Sequence, residues 1–170
     1  MKQPTEHAKG NEFMRRERYV GEITFENVCY SYPSQDNNAL ENISFKVKSG
    51  ERIGIIGRVG SGKTTIGKLI TKLFLPQSGN ILIDGIDIRQ LDPSEIRENI
   101  GYVSQEPWLI AGTVEQNISL GAADVQSETI IEAAHISTAD EFINKHNKGY
   151  KQMLDERGEG LSGGQKQALT

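Results

Sequence analysis

Apolar positions change period several times along these 170 residues, and each change marks a change of element. From Gly21 onward Ile23 and Phe25, then Val28, Tyr30 and Tyr32, alternate with polar residues, with one slip of phase between Phe25 and Val28. Alternation at period two lays one face of a strand on a core, and a slip of one residue is the mark of a bulge. The turn-rich stretch Pro33–Asn38 leads to Leu40, Ile43, Phe45 and Val47, a second strand of the same period. After Ser49-Gly50 the run Ile53, Ile55 and Ile56 predicts a short buried strand. The period then becomes helical: Ile66, Leu69, Ile70, Leu73 and Phe74 share one face, and Pro76 and Gly79 end the helix.

Asn80–Ile88 reads as strand pieces about an Asp84-Gly85 turn. Asp92 then fits an N-cap, with Pro93 at the first helical position and Glu95 reaching back. Ile100–Ser104 is a short strand of the buried type. Beyond it, Thr113-x-x-Gln116 and Thr138-x-x-Glu141 fit the capping-box pattern, and Ser127 is placed to cap a segment holding Ile130, Ile131, Ala133 and Ala134. Gly112–His146 therefore reads as a helical insert in a mixed α/β chain. Residues 1–20 show no periodicity. They read as a solvated tail, or as a linker from something upstream with Arg15, Arg16 and Arg18 near a membrane face.

Composition narrows the class. Nineteen Lys+Arg against 23 Asp+Glu give a net charge of −4, which argues against a nucleic-acid partner held by a basic face. The apolar runs fall far short of the ~20 residues of a membrane helix, and the polar N-terminus carries no signal peptide. A single cysteine, Cys29, makes no internal disulfide and reads as a small core residue in a reducing compartment. His7, His135 and His146 share no metal-ligand spacing, so no protein-bound zinc is expected. These features describe a soluble, cytoplasmic domain.

The chemistry begins at Gly57-Arg58-Val59-Gly60-Ser61-Gly62-Lys63-Thr64, which matches G-x-x-x-x-G-K-[ST] at every fixed position, after an expected strand and before an expected helix. Glycines let successive backbone N–H groups curl around an anion, and a helix N-terminus adds partial positive charge. The amides of Gly60, Ser61 and Gly62 are the expected phosphate cradle. Lys63 supplies a full charge for the β- and γ-phosphates, and Thr64 a hydroxyl for Mg²⁺. The whole stretch Gly57–Thr65, Thr65 included, is expected to touch nucleotide.

A second glycine motif, Leu161-Ser162-Gly163-Gly164-Gln165, follows Glu156-Arg157-Gly158-Glu159-Gly160 and precedes an expected helix at Lys166. Together with the phosphate loop it resembles the ATP-binding cassette (ABC) ATPases, whose signature reads LSGGQ. The resemblance runs from about Gly21 to Thr170. It implies a P-loop NTPase fold with an antiparallel β portion, an incomplete parallel core sheet and a helical subdomain carrying the signature. It implies ATP and Mg²⁺ as ligands. Tyr32 resembles the family's adenine-stacking aromatic residue, with Tyr30 as the competing assignment. Gln105, in Gly101-Tyr102-Val103-Ser104-Gln105-Glu106-Pro107, resembles the Q-loop glutamine that reaches Mg²⁺ and the attacking water. Trp108–Val114 and Glu156-Arg157-Gly158 are similar to exporter stretches, and the wording near Gly149-Tyr150 and Gly158–Gln165 is most like bacterial type I secretion exporters of proteins or peptides. Residues 1–20 would then be the linker from a membrane domain, and 21–170 a partial nucleotide-binding domain.

In the family the signature is followed by the Walker B Asp, a catalytic Glu, the D-loop and the H-loop His, none of which lies within these 170 residues. The resemblance thus implies ATP binding with negligible hydrolysis by this stretch alone. It also implies that Ser162, Gly163, Gly164 and Gln165 act in trans, on nucleotide held by a second ATPase domain in a head-to-tail pair, below the transmembrane domain of the same exporter at the cytoplasmic face of the inner membrane. Two other classes stay open: a soluble cassette ATPase acting on nucleic acid or ribosomes, and a non-catalytic ATP-binding fragment.

Overall fold

The computed structural model describes residues 13–16, 18–33, 37–120, 122 and 124–170, so His7 and part of the turn after Pro33 lie outside the described residues. The chain divides into two compact units, residues 1–102 and 103–170.

In the first unit β1 (Ile23–Tyr30), β2 (Leu40–Val47), β3 (Ser78–Ile83) and β4 (Ile86–Asp87) form an antiparallel sheet in the order β2-β1-β3-β4. The phase slip read from β1 is a bulge: its register shifts against both neighbours after Phe25 and Glu26, with Asn27 at φ 48°. The bulge lets Phe25, Val28 and Tyr30 all face inward. It also explains Gly79, at φ +79°, where any Cβ would overlap the carbonyls of Glu26 and Asn27. Helix α1 (Lys63–Ile70) lays Ile66 and Leu69 into the same core as Phe25, Leu40 and Ile81.

The helix is shorter than its apolar spacing implies. Lys72 takes a left-handed turn at φ 51°, its N–H bonds Leu69 O, and Leu73 N–H bonds Lys68 O. That pair of bonds is a Schellman closure. It ends the helix and leaves Leu73 half exposed. The Arg97 side chain donates to the carbonyls of Thr71 and Lys72, and buried Lys72 donates through Nζ to Leu91 O at 2.6 Å. Arg97 thus holds the carbonyls just past the close of α1, while Lys72 ties that turn to the backbone of Arg89 and Leu91. Arg97 comes from α2 (Pro93–Glu98), which starts as read: Asp92 accepts Ser94 N–H and Pro93 opens the helix. Glu95 does not reach back, because its carboxylate accepts the Arg16 N–H at 2.8 Å.

Two expected strands are not formed. Neither Ile53–Gly57 nor Ile100–Ser104 joins a ladder among the described residues, so no parallel core sheet is present. A strand needs backbone partners, and none pairs with either stretch here. Ile56 is 99 % exposed, and Ile53 and Ile55 line a groove of about 510 Å³ against Ile43 and Phe45. Nor is Cys29 a core residue. It is half buried, and its thiol accepts Asn42 N–H.

Residues 13–16 and 18–20 depart from the solvated-tail reading. Met14 bridges to Leu91, and Arg16 pairs with Asp84 at 3.3 Å. The Asp84 carboxylate accepts Val20 N–H and Glu22 N–H at 2.7 Å each. Ser49 donates to Val20 O. Burial, with the Glu95 carboxylate beside it, pushes the Tyr19 phenol above its ordinary value.

The second unit is mainly helical: α3 (Val114–Ile118), α4 (Ser127–Ile136), α5 (Asp140–Ile143) and α6 (Gly163–Ala168), with a two-residue ladder of β5 (Gly112–Thr113) on β6 (Met153–Leu154). Thr113 and Gln116 form the expected capping box. Thr138 does not open a helix. It sits at φ 60° in the left-handed position that closes α4, donating its N–H to His135 O. Ser127 is the first residue of α4, behind Gln126, and caps nothing. Asn117, buried, accepts Ile110 N–H and donates to the carbonyls of Ile110 and Thr113. No helix among the described residues is long and apolar enough to cross a membrane.

Asp84 is the residue to test. Asp84→Ala leaves two amides and a guanidinium without their acceptor, and about 1–2 kcal/mol of stability is expected to go. Asp84→Asn keeps one acceptor oxygen and should lose less. Urea denaturation of both variants checks the order, and faster amide exchange at Val20 and Glu22 checks the cause.

Candidate functional site

The phosphate loop, Tyr32 and Thr65 belong to the first unit, whereas Gln105 and Ser162–Gln165 belong to the second.

In the first unit the loop is formed by what happens at Gly62. This residue is the N-cap of α1 at φ 84°, ψ 5°, and contributes no side-chain cap. A Cβ there would overlap the Ala39 carbonyl oxygen, so the position needs glycine for space as well as for φ. Side-chain caps normally satisfy the first amides of a helix. With no cap, the first amides of α1 stay available to an anion. A Cβ at Gly57 would meet Ser61 Oγ, a hydroxyl that can rotate aside. Gly60, also at positive φ, faces open space.

Lys63 turns back over the loop. Its ammonium donates to Gly57 O and Arg58 O, each at 2.8 Å, and lies 3.4 Å from Ser61 Oγ. No carboxylate pairs with it among the described residues. A cation held only by neutral carbonyls beside uncapped amides is a site for an anion with several oxygens. The loop is open to solvent, with Val59 fully exposed, and Thr64 is exposed beside it. The residues present therefore fit a phosphate chain, and Thr64 offers a hydroxyl to a divalent cation.

Tyr30 and Tyr32 have separate roles. Tyr30 is 5 % exposed, and burial holds its phenol above the ordinary value. It stacks on Phe74 at 5.5 Å and is a core residue. Tyr32 is half buried and meets Tyr30 and Phe74 edge-on. Its hydroxyl lies 3.1 Å from Thr65 Oγ1, and the Lys68 ammonium lies over its ring, 5.8 Å from the centroid. Neither link follows from the motif. The readable signal was helical spacing, since Thr65 and Lys68 are i and i+3 on α1.

In the second unit Gln105 is exposed, and its neighbour Ser104 accepts from Gln167 of α6 through its carbonyl. The signature opens α6 by a full capping box: Ser162 Oγ accepts Gln165 N–H at 3.2 Å and Gln165 Oε1 accepts Ser162 N–H at 2.8 Å. The Ser162 hydroxyl proton stays free of that box. Gly163 and Gly164 are exposed, and a Cβ on either would meet nothing within 4 Å. Packing within the chain does not require them. The preceding loop is laced by Asp155, which accepts Glu159 N–H at 2.8 Å and Arg157 N–H at 3.1 Å, while Lys166 donates to Arg157 O. The Glu159 amide, with the Arg157 and Gly158 amides behind it, holds the Asp155 carboxyl below its ordinary value.

Two predictions follow from these turns. Gly62→Ala meets both left-handed strain and the Ala39 oxygen, and is expected to cost several kcal/mol, against about 1 kcal/mol for Gly60→Ala at a similar φ in open space. Thermal melts of the two variants compare them. For Asp155 the folded value is depressed, so its contribution is full above the ordinary 3.8 and is lost as pH falls through the lowered value. Amide exchange at Arg157 and Glu159 should therefore quicken in that acid window in the native chain, and should be fast and insensitive to that titration in Asp155→Ala.

The description of the family model that matches residues 40–170 is ABC transporter. ABC transporter B family member 13 of Arabidopsis thaliana is 44 % identical over 151 residues, 89 % of this chain and 12 % of that protein. The alpha-hemolysin translocation ATP-binding protein HlyB of Escherichia coli O157:H7 is 43 % identical over 150 residues, 88 % of this chain and 21 % of that one. The leukotoxin translocation ATP-binding protein LktB of Mannheimia glucosida is 37 % identical over 167 residues, covering 98 % and 23 %. A bacterial Atm1-family ABC exporter solved with ATP bound superposes with a TM-score of 0.85 at 33 % identity, over 95 % of this chain and 28 % of its own. The chain thus spans less than a third of each of these relatives. With that match laid over an uncapped phosphate loop and an LSGGQ turn, the chain belongs to the ABC transporter family.

Proposed function

We propose that these residues are the ATP-binding part of an ABC exporter, coupling nucleotide binding to movement of cargo across a membrane. The observation that carries the reading is the start of α1: no side chain caps it, and Lys63, free of any carboxylate among the described residues, stands over the loop. The α1 amides and Lys63 would hold the phosphates, Thr64 would offer its hydroxyl to Mg²⁺, and Tyr32 would stack on adenine; Gln105, in the other unit, would serve as the Q-loop glutamine. Mg²⁺, when bound, would offset the charge of the phosphates. The chain's own part is to orient the triphosphate and to hold positive charge against it.

Ser162–Gly164 are the contact offered to nucleotide on a second ATPase domain. Two exposed glycines that nothing among the described residues crowds support the close approach of an outside group, and the Ser162 hydroxyl proton, outside the capping box, supports an anionic one. Residues 1–20 link this domain to transmembrane helices, at the cytoplasmic face, and 21–170 form part of the nucleotide-binding domain. The HlyB and LktB relatives, named for translocating alpha-hemolysin and leukotoxin, support a protein or peptide as cargo. These residues alone are expected to turn over ATP no faster than Lys63→Ala.

A thermal melt with and without Mg-ATP tests the core of the proposal. Ligand at a hundred times its Kd adds about 2.7 kcal/mol of stability. The native chain should melt higher with Mg-ATP and Lys63→Ala should not. A native melt blind to Mg-ATP would sink the reading for this stretch.

A further inference from the structure

We propose that the Thr65 hydroxyl is a positioning group for Tyr32, so that the base-stacking ring and the phosphate-binding turn of α1 act as one hydrogen-bonded unit. The proposal rests on the reading of Tyr32 as the nucleoside-facing ring, and names what holds that ring in place.

Thr65 is the third residue of α1, one past Thr64 and two past Lys63. The residue is 4 % exposed, with its Oγ1 3.1 Å from the Tyr32 hydroxyl. A buried hydroxyl needs a partner, and in a helix it can take a carbonyl of the preceding turn. The bond recorded for Thr65 is instead to a ring 33 residues earlier in the chain.

The rest of the ring is guided too. Tyr30 at 5.1 Å and Phe74 at 5.5 Å meet it at 83° and 86°, fixing its plane by edge contacts. The Lys68 ammonium lies over it and also over Phe74 at 6.0 Å, which occupies one π face with a cation. Edge contacts and a cation restrict the plane. Among the described residues, the Thr65 bond ties the far end of Tyr32 to the first turn of α1. A ring fixed relative to that turn sets the distance between base and phosphates, so the pair should select for a nucleotide carrying both over a bare phosphate chain.

The test is a double-mutant cycle on the full chain, with Mg-ATP and inorganic tripolyphosphate as probes. Tyr32→Phe keeps the ring, and Thr65→Val keeps the shape and removes only the hydroxyl. Each single variant is expected to reduce the preference for Mg-ATP over tripolyphosphate about three- to tenfold, the range of one net hydrogen bond. The double variant should lose no more than either single one, and Thr65→Ser should restore the preference. Melting temperatures of the unliganded variants show which of them fold. Additive losses, or equal losses for the two probes, would overturn the proposal while leaving nucleotide binding intact. Wild-type chain that binds neither probe better than Lys63→Ala would defeat the functional reading, and this inference with it.

Discussion

The arrangement of the candidate site depends on one backbone turn. At Gly62 the chain passes under the Ala39 carbonyl in a left-handed conformation and then enters α1 with nothing to cap it. A serine or aspartate there would satisfy the helix from within and close the start to anions. Glycine removes both the clash and the cap. The same turn swings Lys63 back over the carbonyls of Gly57 and Arg58, so positive charge gathers where negative charge would be welcome. Ala39, the residue just before β2, provides the oxygen that makes the turn so restrictive, and the core residues Ile66 and Leu69 hold the helix behind it.

The other glycine turn solves the opposite problem. Ser162 and Gln165 answer two of the opening amides of α6 from within, those of Gln165 and Ser162. What the turn presents is a hydroxyl proton and two uncrowded glycines. The first turn therefore leaves its amides uncapped, and the second leaves its two glycines exposed and uncrowded. Asp155 and Lys166 keep the lead-in to the second turn in shape through backbone atoms alone, which leaves the exposed glycines undisturbed.

Much of this was legible from residues. The slip between Phe25 and Val28 was a bulge, Asp92 and Thr113 cap as their neighbours imply, and the phosphate loop lies between an apolar run and a helix. The errors have local causes. Ile53–Gly57 and Ile100–Ser104 carry strand composition, but a ladder needs partners, and periodicity cannot report whether they are present. Leu73 continued an apolar stripe that the Schellman closure at Lys72 had already ended. Thr138 had the right residue three places on, yet the end of α4 claimed it for a left-handed turn. The hydroxyl bond between Tyr32 and Thr65 was invisible because it joins residues brought near only by the packing of β1 against α1.

The stretch before β1 was the least readable, being polar and aperiodic, and it turns out to be bound through backbone amides. Such bonds leave no trace in composition, since Asp84 and Glu95 accept from main chain wherever the geometry allows. Their arrangement has a mechanical meaning. Arg16, Val20 and Glu22 all converge on Asp84, at the turn between β3 and β4, while Met14 and Arg16 hold the region of α2. A pull on the residues ahead of Phe13 is therefore borne by several bonds loaded together, not by strands peeled apart one rung at a time. Force entering from that end is shared among Asp84, Glu95 and the Leu91 backbone before it reaches β1.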